Sequence, residues 1–367
     1  MSKFTISRDS SLPIHVQLLH ELRQKILHGE LKPHDKLPGE WELAKALEIS
    51  RSTIRQAWHF AQEEGLLYRN PGKGTFVAES PSKSTTQRYT VGFVIPRYCE
   101  RFTMKLLGSA ETALRQRGLS VRFATTSSID EENYLLDQFS KDGVSGIIIV
   151  AAHGKKQDRI LLSNKLNIPV MLLDRPLKGG ILPCVSSNNY EGGLQAMRHL
   201  IELGHRKILF VVSPYMDLWS VSERYRAYQD TLLLQGIEPE PPFLIGCGET
   251  MHLPEDEETR PLVERLKSGD IPTAIFAEND WIALKVLRAI QSAGLNIPDD
   301  ISVVGFDNLD IAQYPKPPLT TIAQDIDLMG AEAARYMIAL IEEKIIPEPL
   351  TLLPTRLVVR ESTRSIA

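Results

Sequence analysis

Arg51, Ser52, Thr53 and Arg55 open a stretch in which Ile54, Ala57, Trp58 and Ala61 recur at helical spacing. If those four apolar residues turn inward, the polar set is left on the exposed first turn of a helix. Arginine there can donate two parallel bonds to guanine O6 and N7, while threonine offers a hydroxyl to phosphate and a methyl to thymine. A second basic feature follows at Asn70-Pro71-Gly72-Lys73-Gly74, a turn poor in side chains. Glycine at Gly74 lets a backbone approach a phosphate or the minor-groove floor, and Lys73 adds charge. The chemistry on offer is recognition of duplex DNA.

The elements that must position these residues are legible around them. Pro38 suits the opening of a helix with Leu43, Ala44 and Leu47 on one face, and Ser50 suits the cap of the next, with only Glu48-Ile49 between. Gly65 suits the end of the second helix, after which 66–69 and 75–78 can pair as a hairpin. Upstream, Pro13 precedes Ile14, Leu18, Leu22 and Ile26, spaced every four residues before Gly29 stops the run. A lone arginine on a helix is usually solvated, and a Pro-Gly turn is usually just a turn. In this order and spacing, however, the pieces read as a winged helix-turn-helix.

Residues 12–77 resemble the DNA-binding domain of the GntR family of bacterial regulators. The resemblance rests on the first helix LPIHVQLLHELRQKILHGELKP, the segment SRSTIR and the closing GKGTFV. It implies that Arg51, Ser52, Thr53, Arg55, Lys73 and Gly74 meet DNA. In one place the chain departs from the family, which has arginine after the glutamate of its LPSER motif. Here Gly39-Glu40 is followed by Trp41, which implies either packing on sugar or backbone or a different half-site.

After ESPSKSTTQR (79–88), a polar stretch without aliphatic residues that reads as a linker, short apolar strands alternate with amphipathic helical patterns. The first series holds VGFVIP, 103–117, VRFAT, 131–141, GIIIVAA, 155–166 and PVMLLD. A second begins after ILPCVSSNNYEGG with 190–203, KILFVV, 221–235, 243–246, 256–267, TAIFAE, 280–293 and ISVVGF. This is α/β architecture, two lobes of doubly wound parallel sheet. Three segments follow: a domain over 1–78, a linker over 79–88 and a body over 89–367. Ligands of such sheets sit beyond the carboxyl ends of the strands. Asp174, Arg224, Asn279, Asp307 and Gln324 all fall at or just after strand ends, a mixture of acceptors and donors suited to sugar hydroxyls.

From Tyr89 onward the chain resembles the effector domain of the LacI/GalR regulators, itself similar to periplasmic sugar-binding proteins. GHRKILFVV, PTAIFAEND, IPDDISVVGFDN, PPLTTIAQ and LPTRLVVREST carry that resemblance. It implies effector contacts at Asp174, Ser220, Arg224, Asn279, Asp307 and Gln324, with Trp219, Tyr215, Phe102, Tyr98 and Trp281 as candidates for a stacking wall. Asp280 is expected to cap its helix, and Asn308 to be structural. If Arg97 and Arg101 point inward, a phosphorylated or carboxylated sugar becomes a candidate ligand. The family's hinge helix is missing, so the wing must do its work. A GntR-type head on a LacI-type body resembles in architecture the arabinose-repressor subfamily of bacterial regulators.

The 367 residues carry a net charge of -4. Residues 1–90 hold 13 Lys/Arg against 10 Asp/Glu, so a modestly basic head precedes an acidic body. Cys99, Cys184 and Cys247 are odd in number and widely spaced, which signals neither disulfides nor zinc and points to free thiols. No catalytic motif, metal-ligand spacing or cofactor loop is present, and His199 and His205 read as surface or loop residues. An enzyme is therefore not expected. A transport binding protein would need an export signal and no DNA-binding head, the reverse of this chain. The expectation is a cytoplasmic homodimer that binds a palindromic double-stranded operator and a sugar-like effector, without membrane, metal or cofactor. Repression of carbohydrate-utilisation genes is implied by the resemblance; ligand-dependent activation and corepression remain open at this level.

Overall fold

The computed structural model describes residues 14–27, 29–63, 65–78, 89–97, 100–152, 168–177, 182–246, 255–269, 271–344 and 348–366, together with Phe4, Ile6, Leu166 and Ile346. The expected linker over 79–88, the expected helix over 155–166 apart from Leu166, Tyr98, Cys99, Cys247 and the Arg101 side chain lie outside them. The chain divides into two compact units, residues 1–89 and 90–367.

In the first unit, α1 (Ile14–Leu27), α2 (Glu40–Leu47) and α3 (Arg51–Glu63) precede the hairpin β1 (Leu67–Asn70) and β2 (Gly74–Val77). The expected inward set Ile54, Ala57, Trp58 and Ala61 is buried, and Leu18, Leu22, Leu37, Leu43 and Val77 complete the core around it. Glu48 closes α2 in the left-handed region at φ 54, its N–H returning to the Ala44 carbonyl. Ser50 Oγ then accepts from Thr53 N at 3.1 Å, so the expected cap of α3 forms. Each hairpin strand begins one residue away from the expected position, because the turn closes through Lys73 N to the Asn70 carbonyl. Gly74 stands at φ +123, and a Cβ there would lie 2.9 Å from Lys36 Cε. Only glycine fits that corner.

The second unit holds two six-stranded sheets. In the first, β3 (Thr90–Pro96), β4 (Ser120–Thr126), β5 (Gly146–Ile149), β6 (Val170–Leu173), β7 (Cys184–Ser187) and β13 (Leu350–Leu353) run parallel in the order 13-7-6-5-3-4. In the second, β8 (Ile208–Val212), β9 (Phe243–Leu244), β10 (Ala274–Ala277), β11 (Ser302–Asp307) and β12 (Thr320–Gln324) are parallel, and β14 (Thr355–Val358) joins β12 antiparallel. Helices Asn189–Glu202 and Trp219–Leu234 cover one face of this sheet, and Glu255–Lys267 and Asp280–Ser292 the other.

The two lobes are not a simple tandem. After β12 the chain returns to the first lobe, where helix Ile326–Ile341 packs on β5, β6 and β7 and on helix Glu100–Gln116. β13 then extends the first sheet and β14 the second. Three short crossings therefore join the lobes, at 187–189, 324–326 and 353–355. Asn188 N donates to the Leu353 carbonyl at 2.8 Å, which ties the first crossing to the third. Among the described residues no helix is long and apolar enough to cross a membrane.

Candidate DNA interface and effector cleft

On the first unit Arg51, Ser52 and Arg55 are exposed along the start of α3, and Thr53 is half-buried because its hydroxyl lies 2.7 Å from Ser50 Oγ. Arg55 is not bare. Its Nε and Nη2 donate to Glu40 Oε2 at 3.3 and 3.2 Å, which aims the guanidinium while leaving the side chain 63% exposed. Trp41, one position on from Glu40, is 64% exposed with Lys45 Nζ 5.3 Å from its ring. Lys73 is exposed at the hairpin tip, and Tyr68 and Phe76 stack at 5.5 Å to stiffen the strands behind it. An apolar indole held out in water beside a cation is a surface suited to a polyanion with apolar sugar and methyl edges.

On the second unit the strand-end residues converge on one guanidinium. Arg224 projects from helix Trp219–Leu234, which can approach helix Asn189–Glu202 closely because Gly193 faces Ala227; a Cβ at Gly193 would lie 2.6 Å from that of Ala227. Arg224 Nε donates to Asn189 Oδ1 at 2.9 Å and Nη1 to the Glu278 carbonyl at 2.5 Å. Its Nη2 faces Asp307 Oδ1 at 3.7 Å, and its Cζ lies 3.7 Å from the Phe306 ring centroid. Gln324 Nε2 donates to the same Asp307 oxygen at 2.6 Å. Burial works against the charge of Arg224, while Asp307, Asp174 and Glu278 support it. Asp174 belongs to the first lobe, so the electrostatics of this cleft span both lobes.

Burial also pushes the Asp307 carboxyl well above the ordinary range; Arg224 opposes that shift and Asp280 adds to it. Asp280, fully buried, is raised to about 7 by desolvation although Thr321 and the Leu309 amide stabilise its charge. Asp174, Asp307 and Asn308 hold φ at 74, 111 and 54. Such backbone costs about 1–3 kcal/mol at each non-glycine site and persists only where the surroundings over-determine it. Here it turns the side chains at the ends of β6 and β11 away from the strand direction.

The structure brings Arg224, Asp307 and Gln324 into direct contact, with Asp174 within electrostatic reach of them. Asp174 also accepts from Arg175 Nε at 3.0 Å. Ser220 is buried and Trp219 half-buried at the start of the Arg224 helix. Several expectations change. Asn279, not Asp280, caps its helix, its Oδ1 accepting from Ile282 N at 2.8 Å. Asp280 instead ties the ends of β11 and β12 together, a tertiary role its adjacent position gave no sign of. Asn308 is structural as expected, accepting from Arg360 Nη2 at 2.7 Å. Arg97 is exposed, 3.7 Å from Glu131. Phe102 packs into the first core, Trp281 is 38% exposed and Tyr215 is half-buried. His205 is buried rather than on a surface, bonded to Thr273 and the Arg364 carbonyl, and His199 is near Thr363. Cys184 is a buried free thiol as expected, its ionisation suppressed by burial. Asn189, Glu278 and Arg360 lie inside the stretches ILPCVSSNNYEGG, PTAIFAEND and LPTRLVVREST but are not among the expected site residues. Only a buried-polar pattern at strand and helix starts could have raised them.

A DNA-reading helix on one unit and a polar cleft between two α/β lobes on the other define a two-domain, DNA-binding transcription regulator. Residues 15–77 match the model of bacterial regulatory proteins of the gntR family, and residues 197–363 match a periplasmic binding protein-like domain. The arabinose metabolism transcriptional repressor of Geobacillus stearothermophilus is 31% identical over 98% of this chain and 100% of its own length. The HTH-type transcriptional regulator CelR of Thermobifida fusca is 30% identical over 72% of this chain and 77% of its length. Among solved structures, a lac repressor dimer bound to operator and an anti-inducer is similar with a TM-score of 0.68 and 25% identity, over 76% of this chain and 94% of that one. A LacI family regulator from Enterococcus faecium with bound ribose gives a TM-score of 0.64 and 27% identity over 76% of this chain and 100% of the other. The chain belongs to the family of arabinose metabolism transcriptional repressors, GntR-type heads joined to periplasmic-binding-protein-like bodies, and is a regulator rather than an enzyme.

Proposed function

We propose that this protein is a cytoplasmic, homodimeric repressor of carbohydrate-utilisation genes, released from a palindromic operator when a sugar enters the cleft of the body. The head comprises residues 1–78, the linker 79–88 and the effector-binding and dimerisation body 89–367. Arg51 and Arg55 read bases, Ser52, Thr53, Lys73 and Gly74 meet the backbone, and Trp41 replaces a hydrogen-bonding reader with an apolar one. Asp174, Ser220, Arg224, Asn279, Asp307, Gln324 and Trp219 contact the effector.

The observation that carries this reading is the Arg224 cluster. Arg224 and Asp307 bond to Asn189 and Gln324, which stand at two of the three crossings between the lobes. A ligand that takes up Arg224 and Asp307 therefore competes for the side chains that set the angle between the lobes. Only unequal affinity for two lobe arrangements can drive a switch, and moving a population from 1:99 to 99:1 takes about 5.5 kcal/mol of difference. The test is operator binding by the full chain, titrated with and without pentoses, hexoses and disaccharides. One sugar should lower operator affinity and raise the melting temperature of the body. A sugar that bound and tightened operator binding would reverse the assignment to corepression.

A further inference from the structure

Asp280 opens helix Asp280–Ser292 but leaves the capping of that helix to Asn279 and turns inward, fully buried. Its Oδ2 accepts from Leu309 N at 2.7 Å and its Oδ1 from Thr321 Oγ1 at 2.6 Å. One carboxyl thus grips β12 and the chain just beyond β11. Room for it is made inside β11 by Gly305, where a Cβ would lie 2.5 Å from Asp280 Oδ1.

Asp307 and Asn308 stand between Gly305 and Leu309, with successive positive φ values of 111 and 54. Neither is glycine, so the bend costs about 1–3 kcal/mol per residue and has to be held from outside. The holds converge on Asp280. Thr321 Oγ1, which donates to Asp280, also accepts from Asn308 N at 3.4 Å, and Asn308 Oδ1 accepts from Arg360 Nη2 at 2.7 Å. What the bend delivers is the Asp307 carboxyl, 3.7 Å from Arg224 Nη2 and bonded to Gln324 Nε2 at 2.6 Å. Without Asp280 the buried Leu309 amide loses its acceptor, and the bend loses its support from below.

Charge couples the two carboxyls as well. Among the described residues the ionisable groups that face Asp280 are Asp307 on β11, Arg224 on helix Trp219–Leu234 and Arg360 on the segment after β14. Both arginines favour its charged form, but two carboxylates in one buried site repel, so a charge on Asp280 makes the Asp307 proton harder to remove. We propose that Asp280, sealed beneath the cleft, is a positioning residue of the effector response: it holds the Asp307–Asn308 bend, and its own ionisation sets the charge that Asp307 presents to a ligand. The proposal rests on the reading of Asp307 as an effector contact. Asparagine is the informative replacement, because its amide oxygen accepts from Leu309 N while its Nδ2 donates to Thr321 Oγ1. It keeps both bonds and removes the charge.

The full chain is compared with Asp280→Ala and Asp280→Asn, with sugar-free operator binding as the check of folding. Hydrogen exchange without any sugar reads the bend: Asp280→Ala should speed exchange across 306–311 about tenfold, and Asp280→Asn should restore it. Carboxyl carbon NMR of the sugar-free chain, with Asp307→Asn to assign the signal, reads the charge. Asp307 should titrate about one pH unit lower in Asp280→Asn, because a like charge has gone. Calorimetry with arabinose, ribose, xylose and cellobiose reads the response. A sugar of this set that the unaltered protein binds should bind Asp280→Ala about tenfold more weakly, with most of the loss recovered in Asp280→Asn. If Asp280→Ala does not fold, Thr321→Val, which removes one of the two bonds, should show the faster exchange. Unchanged exchange in these variants overturns the hold on the bend, and an unmoved Asp307 titration overturns the control of its charge. Binding to none of the four sugars overturns the sugar-sensing reading instead, and exchange and titration then decide the role of Asp280 by themselves.

Discussion

Arg55 in the head and Arg224 in the body carry the same guanidinium into opposite surroundings. Arg55 is 63% exposed with a single carboxylate partner, Glu40. Arg224 has a side chain only 6% exposed and is held by a side-chain amide, a carbonyl, a carboxylate and an aromatic face. A surface ion pair is worth about 0–1 kcal/mol, so DNA can take Arg55 from Glu40 at little cost. The buried arginine has no such freedom, because each of its partners would be stranded without it. The head leaves its guanidinium free to exchange partners, whereas the body builds its guanidinium into the contacts beside the crossings between the lobes.

That contrast is broken most directly at Arg224. Arg224→Ala should destabilise the body by about 3–5 kcal/mol, since Asn189 Oδ1, the Glu278 carbonyl and Asp307 all lose a buried donor and the space against Phe306 is left empty, and should abolish the response to effector. Denaturant unfolding checks it. A loss below about 1 kcal/mol would show that Arg224 is held no more firmly than a surface residue. Arg55→Ala should leave stability almost unchanged but cost about 1–3 kcal/mol on operator DNA and relax specificity at one base pair. Titration on operator and random duplexes decides this. Equal losses on both would make Arg55 a backbone contact.

The buried carboxyls sharpen the comparison through pH. Asp280 is raised to about 7 from an ordinary value of 3.8, so the folded state holds its proton more tightly than the unfolded chain. Its contribution to stability therefore falls as pH rises between those values. Asp307 and Glu278 act in the same direction, whereas His199 and His205, held below their usual value by burial, lose stability as pH falls through the range below 6.5. Asp280→Asn should accordingly lose less stability than the unaltered protein when the body is melted at about pH 5 and about pH 8. Identical slopes would place the charge change elsewhere. The smallest effect is expected at the wing. Lys73→Ala should weaken operator and random DNA alike and reduce the salt slope by about one unit, and an unchanged slope would remove Lys73 from the phosphate contacts.

The head was readable because its determinants are local. The inward set of α3 follows from a period of 3.6, and Arg51, Ser52 and Arg55 are exposed because Ile54, Ala57 and Trp58 are buried. The same local reading failed where two neighbours were equally able to cap. Asn279 and Asp280 both have a short acceptor side chain, and the choice was made by Leu309 and Thr321, about thirty and forty residues away, which claim Asp280.

By itself, then, the sequence determined the elements, the two kinds of unit and the strand ends at which Asp174, Asp307 and Gln324 stand, because apolar periodicity and turn chemistry act over a few residues. Only the tertiary structure decided which lobe receives helix Ile326–Ile341 and strand β13, since an amphipathic helix states that it has a buried face but not which sheet covers it. It alone joined Arg224 to Asn189 and Glu278, and left Glu278 Oε2 and Gln324 Oε1 without donors. Burial, charge pairing and unsatisfied acceptors are properties of what surrounds a residue, and those surroundings are assembled from segments far apart in the chain.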